Sequence, residues 1–148
     1  MQIWGMLLPD GSLFVKELHQ RSKSGYYIEL LRDFAKPILD SELGDDYVFQ
    51  QDNTSKQTLD WMRNSNFAFM DWPARSADLN PIENVWSLLS ELVYDCQQFK
   101  NVKNLKEAID KSVQIVNTRD RYKLMSLRDS IQSRLLKVID GRGEKLCY

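Results

Sequence analysis

The order in which strand-like and helical patterns follow one another constrains the fold of this 148-residue chain more than any other feature. Short runs rich in aromatic and β-branched residues alternate with segments in which apolar residues recur every three or four positions. Along the chain the order is two strands, a helix, a strand, a helix, a strand and then three helices. Strands that alternate with helices predict a layered α/β domain with some parallel pairing.

Four strands are predicted. The first two flank Pro9-Asp10-Gly11, a turn sequence between two apolar runs, and this arrangement is typical of a β-hairpin. The other two are short and are predicted from their aromatic and β-branched residues, at Tyr47–Asp52 and Phe67–Trp72.

Five helices are predicted from apolar residues at helical spacing. The first has its apolar residues between Tyr27 and Ile38, and Pro37 should kink or divide it. The others begin, in order, at Thr54 or Ser55, at Pro81, near Val102 and shortly before Leu124. The last helix should stop at Gly141, and its apolar face consists of Leu124, Leu127, Ile131, Leu135 and Val138.

Composition excludes several classes of function. No apolar run approaches the about 20 residues that span a bilayer, and the N-terminus lacks the basic start and cleavage site of a signal peptide. Cys96 and Cys147 form neither a CxxC motif nor a disulfide framework, which indicates a reducing intracellular compartment. Since His19 is the only histidine, histidine-based zinc sites and nucleophile pairs have little to build on.

Charge is unevenly distributed, although the net charge is only −1. Residues 1–100 carry 9 Lys and Arg against 15 Asp and Glu, whereas residues 101–148 carry 11 against 6. A basic C-terminal third permits contact with a polyanion, but the excess is small, and we favour solvated helix faces. The basic residues concerned include Arg119, Arg121, Lys123, Arg128 and Arg134.

The stretch Asn80-Pro81-Ile82-Glu83 marks the start of the third helix. Asn is a strong N-cap, and Pro suits the next position because its φ is already helical and it needs no N–H partner. Glu83 then completes a capping-box pattern, in which its carboxylate reaches back to the N–H of the cap. This structural role is sufficient to explain Glu83, and the alternative is that Glu83 belongs to an active site.

Asp52 and Glu83 are two acids in special positions, because Asp52 ends a predicted strand and Glu83 lies in the first turn of a later helix. In an open α/β sheet, sites form beyond the strand ends, where these carboxylates can meet. Their natural shared ligand is Mg²⁺, which prefers oxygen atoms. Two such ions about 4 Å apart would activate water and stabilise the leaving oxygen of a phosphodiester.

The stretches FQQDN, which contains Asp52, and DWPARSADLNPIENVW, which contains Glu83, resemble the DDE transposases of the mariner superfamily. The resemblance covers essentially the whole chain, and the phrase Asp78–Trp86 is its most specific part. It implies a ribonuclease H-like fold and metal-dependent cleavage of DNA strands, followed by joining of the freed 3′ end to target DNA. It also implies that Asp52 is the second acid of the DDE triad and Glu83 the third, both catalytic and both ligands of Mg²⁺ or Mn²⁺.

The chain departs from the family pattern at its start. The first catalytic Asp of the family lies on an opening strand upstream of the region that matches Ile3-Trp4-Gly5, and Asp10 lies in a turn instead. We therefore expect residues 1–148 to form a partial ribonuclease H-like catalytic domain that lacks its first strand, with a core at about 1–100 and a C-terminal helical region at 101–148. The strands that share the missing partner would then pair directly or expose backbone groups.

A second departure lies between the two acids, which are separated by 30 residues, a few fewer than is usual in the family. The shortening is in the loop after Asp52, where the family commonly has a histidine. It either re-aims Asp52 or trims a surface turn. Asn53 could orient Asp52 or the waters of a metal, or it could serve only as a turn residue.

The resulting hypothesis is a transposase-derived DDE endonuclease domain that acts in DNA transposition and integration, with transposon ends and target DNA as partners. We expect the chain to be inactive alone, so whether it is an enzyme stays open. A homodimer also stays open, whereas a membrane and a small-molecule substrate are not expected. The location would be intracellular, and nuclear in a eukaryote. The alternative is a degenerate or domesticated module that binds nucleic acid or protein without catalysis.

Overall fold

A computed structural model of the protein describes residues 1–19, 24–52, 54–70, 72, 79–95 and 98–141. The architecture is mixed α/β, with a two-stranded sheet and mostly helices in the described residues. The strands are β1 (Gln2–Leu7) and β2 (Leu13–Leu18). The helices are α1 (Ser24–Leu30), α2 (Lys36–Leu43), α3 (Lys56–Asn64), α4 (Pro81–Tyr94), α5 (Val102–Thr118) and α6 (Arg121–Asp140). None of these helices is long and apolar enough to cross a membrane.

The chain divides into two compact units. The first consists of Met1–Glu17 and Ala77–Tyr148, and the second of Leu18–Ser76. The N-terminal strands therefore belong largely to the same unit as the C-terminal helices. The predicted division into a core at about 1–100 and a C-terminal helical region stays a prediction.

The predicted N-terminal hairpin is confirmed, since β1 and β2 are hydrogen-bonded neighbours in one sheet. In the turn between them, the Leu8 N–H donates to the Ser12 carbonyl at 2.9 Å. The Asp10 carboxylate accepts hydrogen bonds from the Ser12 N–H at 2.8 Å and from the Ser12 hydroxyl at 2.9 Å. Gly11 has a φ of +83°, a conformation that glycine adopts at no steric cost.

The core of the first unit is built around α4, which packs against β1, α5 and α6. Buried residues on α4 follow one another at intervals of four, which places them on a single side of the helix. The buried cluster consists of Leu13 of β2, Val85, Leu89 and Val93 of α4, Ile109 and Val116 of α5, and Leu124 of α6. Leu88 and Leu92 of the same helix are partly buried against this cluster.

Trp86 of α4 packs directly on the backbone of β1. A Cβ atom added to Gly5 would lie 3.0 Å from Cζ2 of the Trp86 indole and still closer to its Cη2. The absence of a side chain at position 5 therefore lets the large ring lie flush against the strand. The contact between Gly5 and Trp86 helps to set how closely α4 approaches the sheet.

A side-chain amide ties α5 to the start of β2. The Leu13 N–H donates to Oδ1 of Asn117 at 2.7 Å, and Nδ2 of Asn117 donates to the Leu13 carbonyl at 2.9 Å. This pair of hydrogen bonds reproduces what a neighbouring strand would supply to the backbone of Leu13. Sequence patterns gave no indication of this role for Asn117.

The predicted apolar face of α6 is only partly buried. Leu124 is fully buried and Leu127 packs against the core cluster, as the spacing predicts. Towards the C-terminal end, however, Leu135 is 40% exposed and Ile139 is 71% exposed. The prediction is therefore wrong for Leu135. The helix ends at Gly141, as predicted, with the Gly141 N–H bonded to the Lys137 carbonyl at 2.9 Å.

In the second unit, α1 and α2 are joined by a π-helical turn, Leu31–Ala35. At its end the Lys36 N–H bonds to the Leu31 carbonyl, five residues back. Pro37 follows immediately and cannot donate a backbone hydrogen bond, so a widened turn just before it relieves the conflict. The prediction that Pro37 divides this helical segment is confirmed in this form.

Aromatic rings and aliphatic side chains form the interior of the second unit. Phe67 is 2% exposed and makes edge contacts with Tyr47 and Phe49, at centroid distances of 6.2 and 5.4 Å. Trp61 of α3 lies 5.8 Å from the same ring. The buried aliphatic side chains of this unit are Leu30, Leu31, Ala35, Leu39 and Met62.

The two short strands predicted in this unit are reduced to one parallel bridge, Phe49 with Phe69. The Phe49 N–H bonds to the Ala68 carbonyl at 2.8 Å, and the Met70 N–H bonds to the Phe49 carbonyl at 2.9 Å. Within the described residues, no hydrogen-bonded ladder longer than this bridge joins Tyr47–Asp52 and Phe67–Trp72. An isolated two-stranded pair is marginal in water, and the backbone bends at Asp52. The full ribonuclease H-like sheet stays a prediction.

Substitution of Gly5 by Ala should destabilise the protein by about 1–3 kcal/mol, because the added methyl group overpacks the contact with Trp86. Urea unfolding monitored by circular dichroism measures the effect. Gly25 is the matched control, since a Cβ there meets nothing within 4 Å. Gly25→Ala should be neutral or stabilising by up to about 1 kcal/mol. If Trp86→Leu does not lessen the cost of Gly5→Ala in a double-mutant cycle, the indole contact is not its cause.

Candidate functional site

Asp52 lies in a bend, three residues after the bridge at Phe49 and four residues before the start of α3. Its side chain is half-buried. In the part of the chain that the structure describes, the Asp52 carboxylate forms no hydrogen bond or ion pair. Asn53, which could orient Asp52 or serve only as a turn residue, lies outside the described residues.

Glu83 lies in the first turn of α4, where it was predicted. Asn80 caps the helix, with its Oδ1 accepting from the Ile82 N–H at 3.3 Å, and Pro81 occupies the next position. The predicted capping box is incomplete, because the Glu83 carboxylate is exposed and forms no hydrogen bond or ion pair among the described residues. Among the described residues, the Asn80 side chain therefore caps the helix without help from Glu83.

The two predicted ligands belong to different units, Asp52 to the second and Glu83 to the first. The convergence of Asp52 and Glu83 on one metal ion stays a prediction. Among the described residues, no group of three His, Cys, Asp or Glu side chains is placed to hold a metal ion. The donor set nevertheless suits Mg²⁺ or Mn²⁺, because carboxylate oxygens are ligands that hard cations prefer.

The residue next to Glu83 is held by a buried arginine from a distant part of the chain. Arg134 of α6 is only 5% exposed. Its Nη1 donates to Oδ1 of Asn84 at 2.9 Å, and its Nε donates to the Ser130 hydroxyl at 2.8 Å. Because the guanidinium group is planar and rigid, its two donors fix the direction of these hydrogen bonds as well as their length. Arg134 therefore ties the Glu83-bearing turn of α4 to α6.

Sequence reasoning placed Arg134 among solvated helix residues, and that interpretation is wrong. A signal was present, because Arg134 follows Ile131 by three residues and Leu127 by seven, which is the phase of the apolar face. A charged residue in that phase is buried only where it finds hydrogen-bond partners. The partner Asn84 lies 50 residues away in sequence, so the spacing could indicate burial but not the contact.

Many basic side chains of α5 and α6 are engaged within the first unit. Arg119 and Lys123 pair with Asp120 at 2.9 and 3.1 Å, and Lys106 pairs with Glu17 at 2.8 Å. Since these charges are already partly neutralised, they offer less attraction to a polyanion than their number suggests. In the described part of these two helices, the basic residues whose exposed side chains form no ion pair or hydrogen bond are Lys103, Lys111 and Lys137.

Two further arginines of α6 bind the turn of the hairpin. Nε of Arg121 donates to the Asp10 carbonyl at 2.9 Å, and its guanidinium also pairs with the Asp10 carboxylate. Arg128 donates to the Pro9 carbonyl. A side chain at Gly11 would collide with this contact, because its Cβ would lie 2.9 Å from the Arg121 carbonyl oxygen. The helix and the turn are therefore closely fitted.

The titration of Asp10 depends on this contact. Partial burial disfavours the charged form of the carboxylate, but the hydrogen bonds from Ser12 and the adjacent guanidinium of Arg121 outweigh that effect. Together they hold the pKa of Asp10 below its usual range. Because the folded state favours the charged form of this carboxylate, the free energy of unfolding depends on pH.

Comparisons with known proteins agree with the motif. The family model described as DDE superfamily endonuclease matches residues 1–106. The transposase of transposable element Tc3 from Caenorhabditis elegans is 30% identical, over 100% of this chain and 46% of that protein. The transposase of transposable element Tcb2 from Caenorhabditis briggsae is 32% identical, over 97% of this chain and 52% of that protein. The chain spans about half the length of the curated relatives it matches.

Replacement of Arg134 by Met should destabilise the fold by about 1–3 kcal/mol, because it leaves the partly buried oxygen of Asn84 without this donor. Arg134→Lys should recover only part of the loss, since a lysine lacks the planar fork. Lys137→Met is the matched control, because Lys137 is exposed on the same helix. Denaturant unfolding gives the stabilities. An Arg134→Met cost no larger than that of Lys137→Met would show that the contact contributes nothing.

Replacement of Asp10 by Asn should destabilise the protein at neutral pH and cease to do so in acid. Because the folded-state pKa is depressed, the contribution of Asp10 is present above its unfolded value of 3.8 and is lost as pH falls through the folded-state value. Urea unfolding at about pH 7 and about pH 3 tests this. The exposed Asp46, as Asp46→Asn, should differ little from the parent at either pH. A stability difference for Asp10→Asn that is equal at both pH values would contradict the linkage.

Proposed function

The chain belongs to the DDE superfamily endonuclease family, and from that membership we propose that Asp52 and Glu83 are metal ligands of a transposase-derived catalytic site. The observation that carries the proposal is the local structure of the motif around Glu83. Asn80 and Pro81 start α4 by themselves, and the Glu83 carboxylate is left exposed and unengaged among the described residues. A residue whose role was only to cap the helix would be expected to reach back to the cap N–H.

The state of Asp52 supports the same assignment. It follows a strand-like segment with a parallel bridge, and its carboxylate is unengaged among the described residues. A ribonuclease H-like arrangement, in which the hairpin and the Phe49–Phe69 pair belong to one larger sheet, is part of this proposal. In that arrangement the segment that ends at Asp52 and the start of α4 would lie at the same edge of the sheet.

The proposed metal is Mg²⁺ or Mn²⁺, held by Asp52 and Glu83 together with water. When bound, such ions activate a water molecule and stabilise the leaving oxygen of a phosphodiester. The residues of this chain would bind and orient the ions, and the low number of protein ligands suits Mg²⁺, which keeps several waters. The whole reaction of the family is strand cleavage followed by joining to target DNA, and the proposal for this chain is a part in that reaction, since it matches about half the length of the relatives.

DNA is the proposed partner, in the form of transposon ends and target, and the proposed location is intracellular and, in a eukaryote, nuclear. We expect residues 1–148 to bind duplex DNA weakly, because much of the positive charge of α5 and α6 is committed to intramolecular contacts. The exposed lysines that are not so committed would contact phosphate, and binding should fall with salt as counterion release requires. A homodimer is also part of the proposal for the longer protein.

Two experiments on the full 148-residue chain test the site. Parent protein should bind Mn²⁺ weakly in titrations followed by electron paramagnetic resonance, and Asp52→Asn or Glu83→Gln should weaken binding at least about tenfold through loss of a charged ligand. The matched controls are Asp46→Asn in the second unit and Glu91→Gln, exposed on α4. Equal binding by parent and both site variants would refute the assignment.

Nicking of supercoiled DNA with Mn²⁺ then tests catalysis. We expect no measurable cleavage by the 148-residue chain, because two carboxylates alone do not hold two ions for in-line attack. Cleavage by the parent that both substitutions abolish would show that the chain is a complete enzyme with a further ligand. Metal binding at Asp52 and Glu83 that never supports cleavage, even with residues added before Met1, would instead favour a domesticated binding module.

A further inference from the structure

A side-chain amide next to Asp52 links three segments of the second unit. The Tyr27 hydroxyl of α1 donates to Oε1 of Gln51 at 2.6 Å. Nε2 of Gln51 in turn donates to Oγ1 of Thr54 at 2.6 Å. Both hydrogen bonds are partly buried, where exchange with water is reduced and a lost partner is costly.

The bond between Gln51 and Thr54 spans three residues and closes the short segment that contains Asp52. This segment is anchored on both sides. Before it, Phe49 is held by its bridge to Phe69. After it, Ser55 caps α3 by accepting the Thr58 N–H at 3.2 Å. Within this span the Gln51 amide supplies the cross-link, and Tyr27 connects the amide to a helix.

From this geometry we propose that Gln51 is a positioning residue for Asp52, with Tyr27 and Thr54 holding its amide in place. The inference rests on the proposed function, in which Asp52 is a metal ligand. Asp52 directly follows Gln51 in sequence, so a hydrogen bond that holds Gln51 limits the backbone positions from which the Asp52 carboxylate can reach a metal. Ligands must be held to within about 0.5 Å, and neighbours that orient them affect metal affinity strongly.

The chemistry of the amide explains why glutamine suits this position. One glutamine side chain accepts from the tyrosine hydroxyl and donates to the threonine hydroxyl at the same time. Methionine has a similar length and volume but can do neither. Variants that conserve the shape of a side chain but remove its hydrogen bonds therefore distinguish a packing role of Gln51 and its partners from a hydrogen-bonding role.

Thr54 offers the sharpest pair of variants. Thr54→Val keeps the volume and removes the hydroxyl, whereas Thr54→Ser keeps the hydroxyl and removes a methyl group. Amide hydrogen exchange of Phe49, which lies two residues before Gln51 and whose N–H bonds to the Ala68 carbonyl, reports local opening of this part of the chain. Measured by NMR on the full chain, it should become about threefold to tenfold faster in Thr54→Val, as expected for loss of one hydrogen bond. Thr54→Ser should exchange like the parent. The reverse order would show that packing, not the amide link, positions the segment, and would overturn the proposal.

Tyr27 has a matched control on the same helix. Tyr27→Phe and Gln51→Met should each speed exchange of the Phe49 amide by about threefold to tenfold. Tyr26→Phe should leave it unchanged, because the Tyr26 hydroxyl contacts only the His19 N–H, at 3.5 Å, in the described chain. Unchanged exchange in both Tyr27→Phe and Gln51→Met would also overturn the proposal.

Mn²⁺ affinity separates this inference from the proposed function. If Asp52→Asn abolishes binding, then Gln51→Met and Thr54→Val should weaken it by about threefold to tenfold, and Thr54→Ser should not. Parent-like affinity in Gln51→Met would then overturn the positioning role. If Asp52→Asn binds Mn²⁺ like the parent, the metal assignment fails instead, and the exchange measurements still decide whether the amide positions Asp52.

Discussion

The first unit depends on the residue at which helix α4 begins. Asn80 caps the helix and Pro81 starts it, so Val85, Leu89 and Val93 fall on the side that faces the core. Glu83 precedes Val85 by two residues and therefore lies on the opposite side, exposed. A start displaced by one residue would rotate the helix by about 100° and turn the apolar residues away from their partners. The same register thus buries the core and presents the carboxylate.

Polar contacts between distant residues hold the elements of this unit around α4. Asn117 pairs with the backbone of Leu13, and Arg134 reaches Asn84. Two more arginines of α6 bind the hairpin turn. The arginine contacts also occupy positive charge that would otherwise be available to the polyanion proposed as a partner. The basic character of the C-terminal third is therefore mainly a structural property of the first unit.

The second unit shows where local patterns succeed and where they fail. Pro37 does divide its helix, because a residue without an N–H cannot form the backbone hydrogen bond of a helix interior. The division takes the form of a π-helical turn. The strands around Phe49 and Phe69 are shorter than their composition predicts. Aromatic residues that favour strands also pack well as isolated rings, and here they form a cluster around Phe67. Strand length depends on neighbours that composition does not report.

By itself the sequence determined the hairpin, the helices, the cap at Asn80, the family and the two candidate ligands, since each rests on local chemistry or on a contiguous motif. Only the tertiary structure decided that Arg134 bonds to Asn84, that the end of α6 stays exposed and that Glu83 does not complete the capping box among the described residues. It also decided that Gln51 bridges Tyr27 and Thr54. The physical reason is that hydrogen bonds between distant residues depend on how whole elements pack, and hydrophobic periodicity carries no information about polar partners.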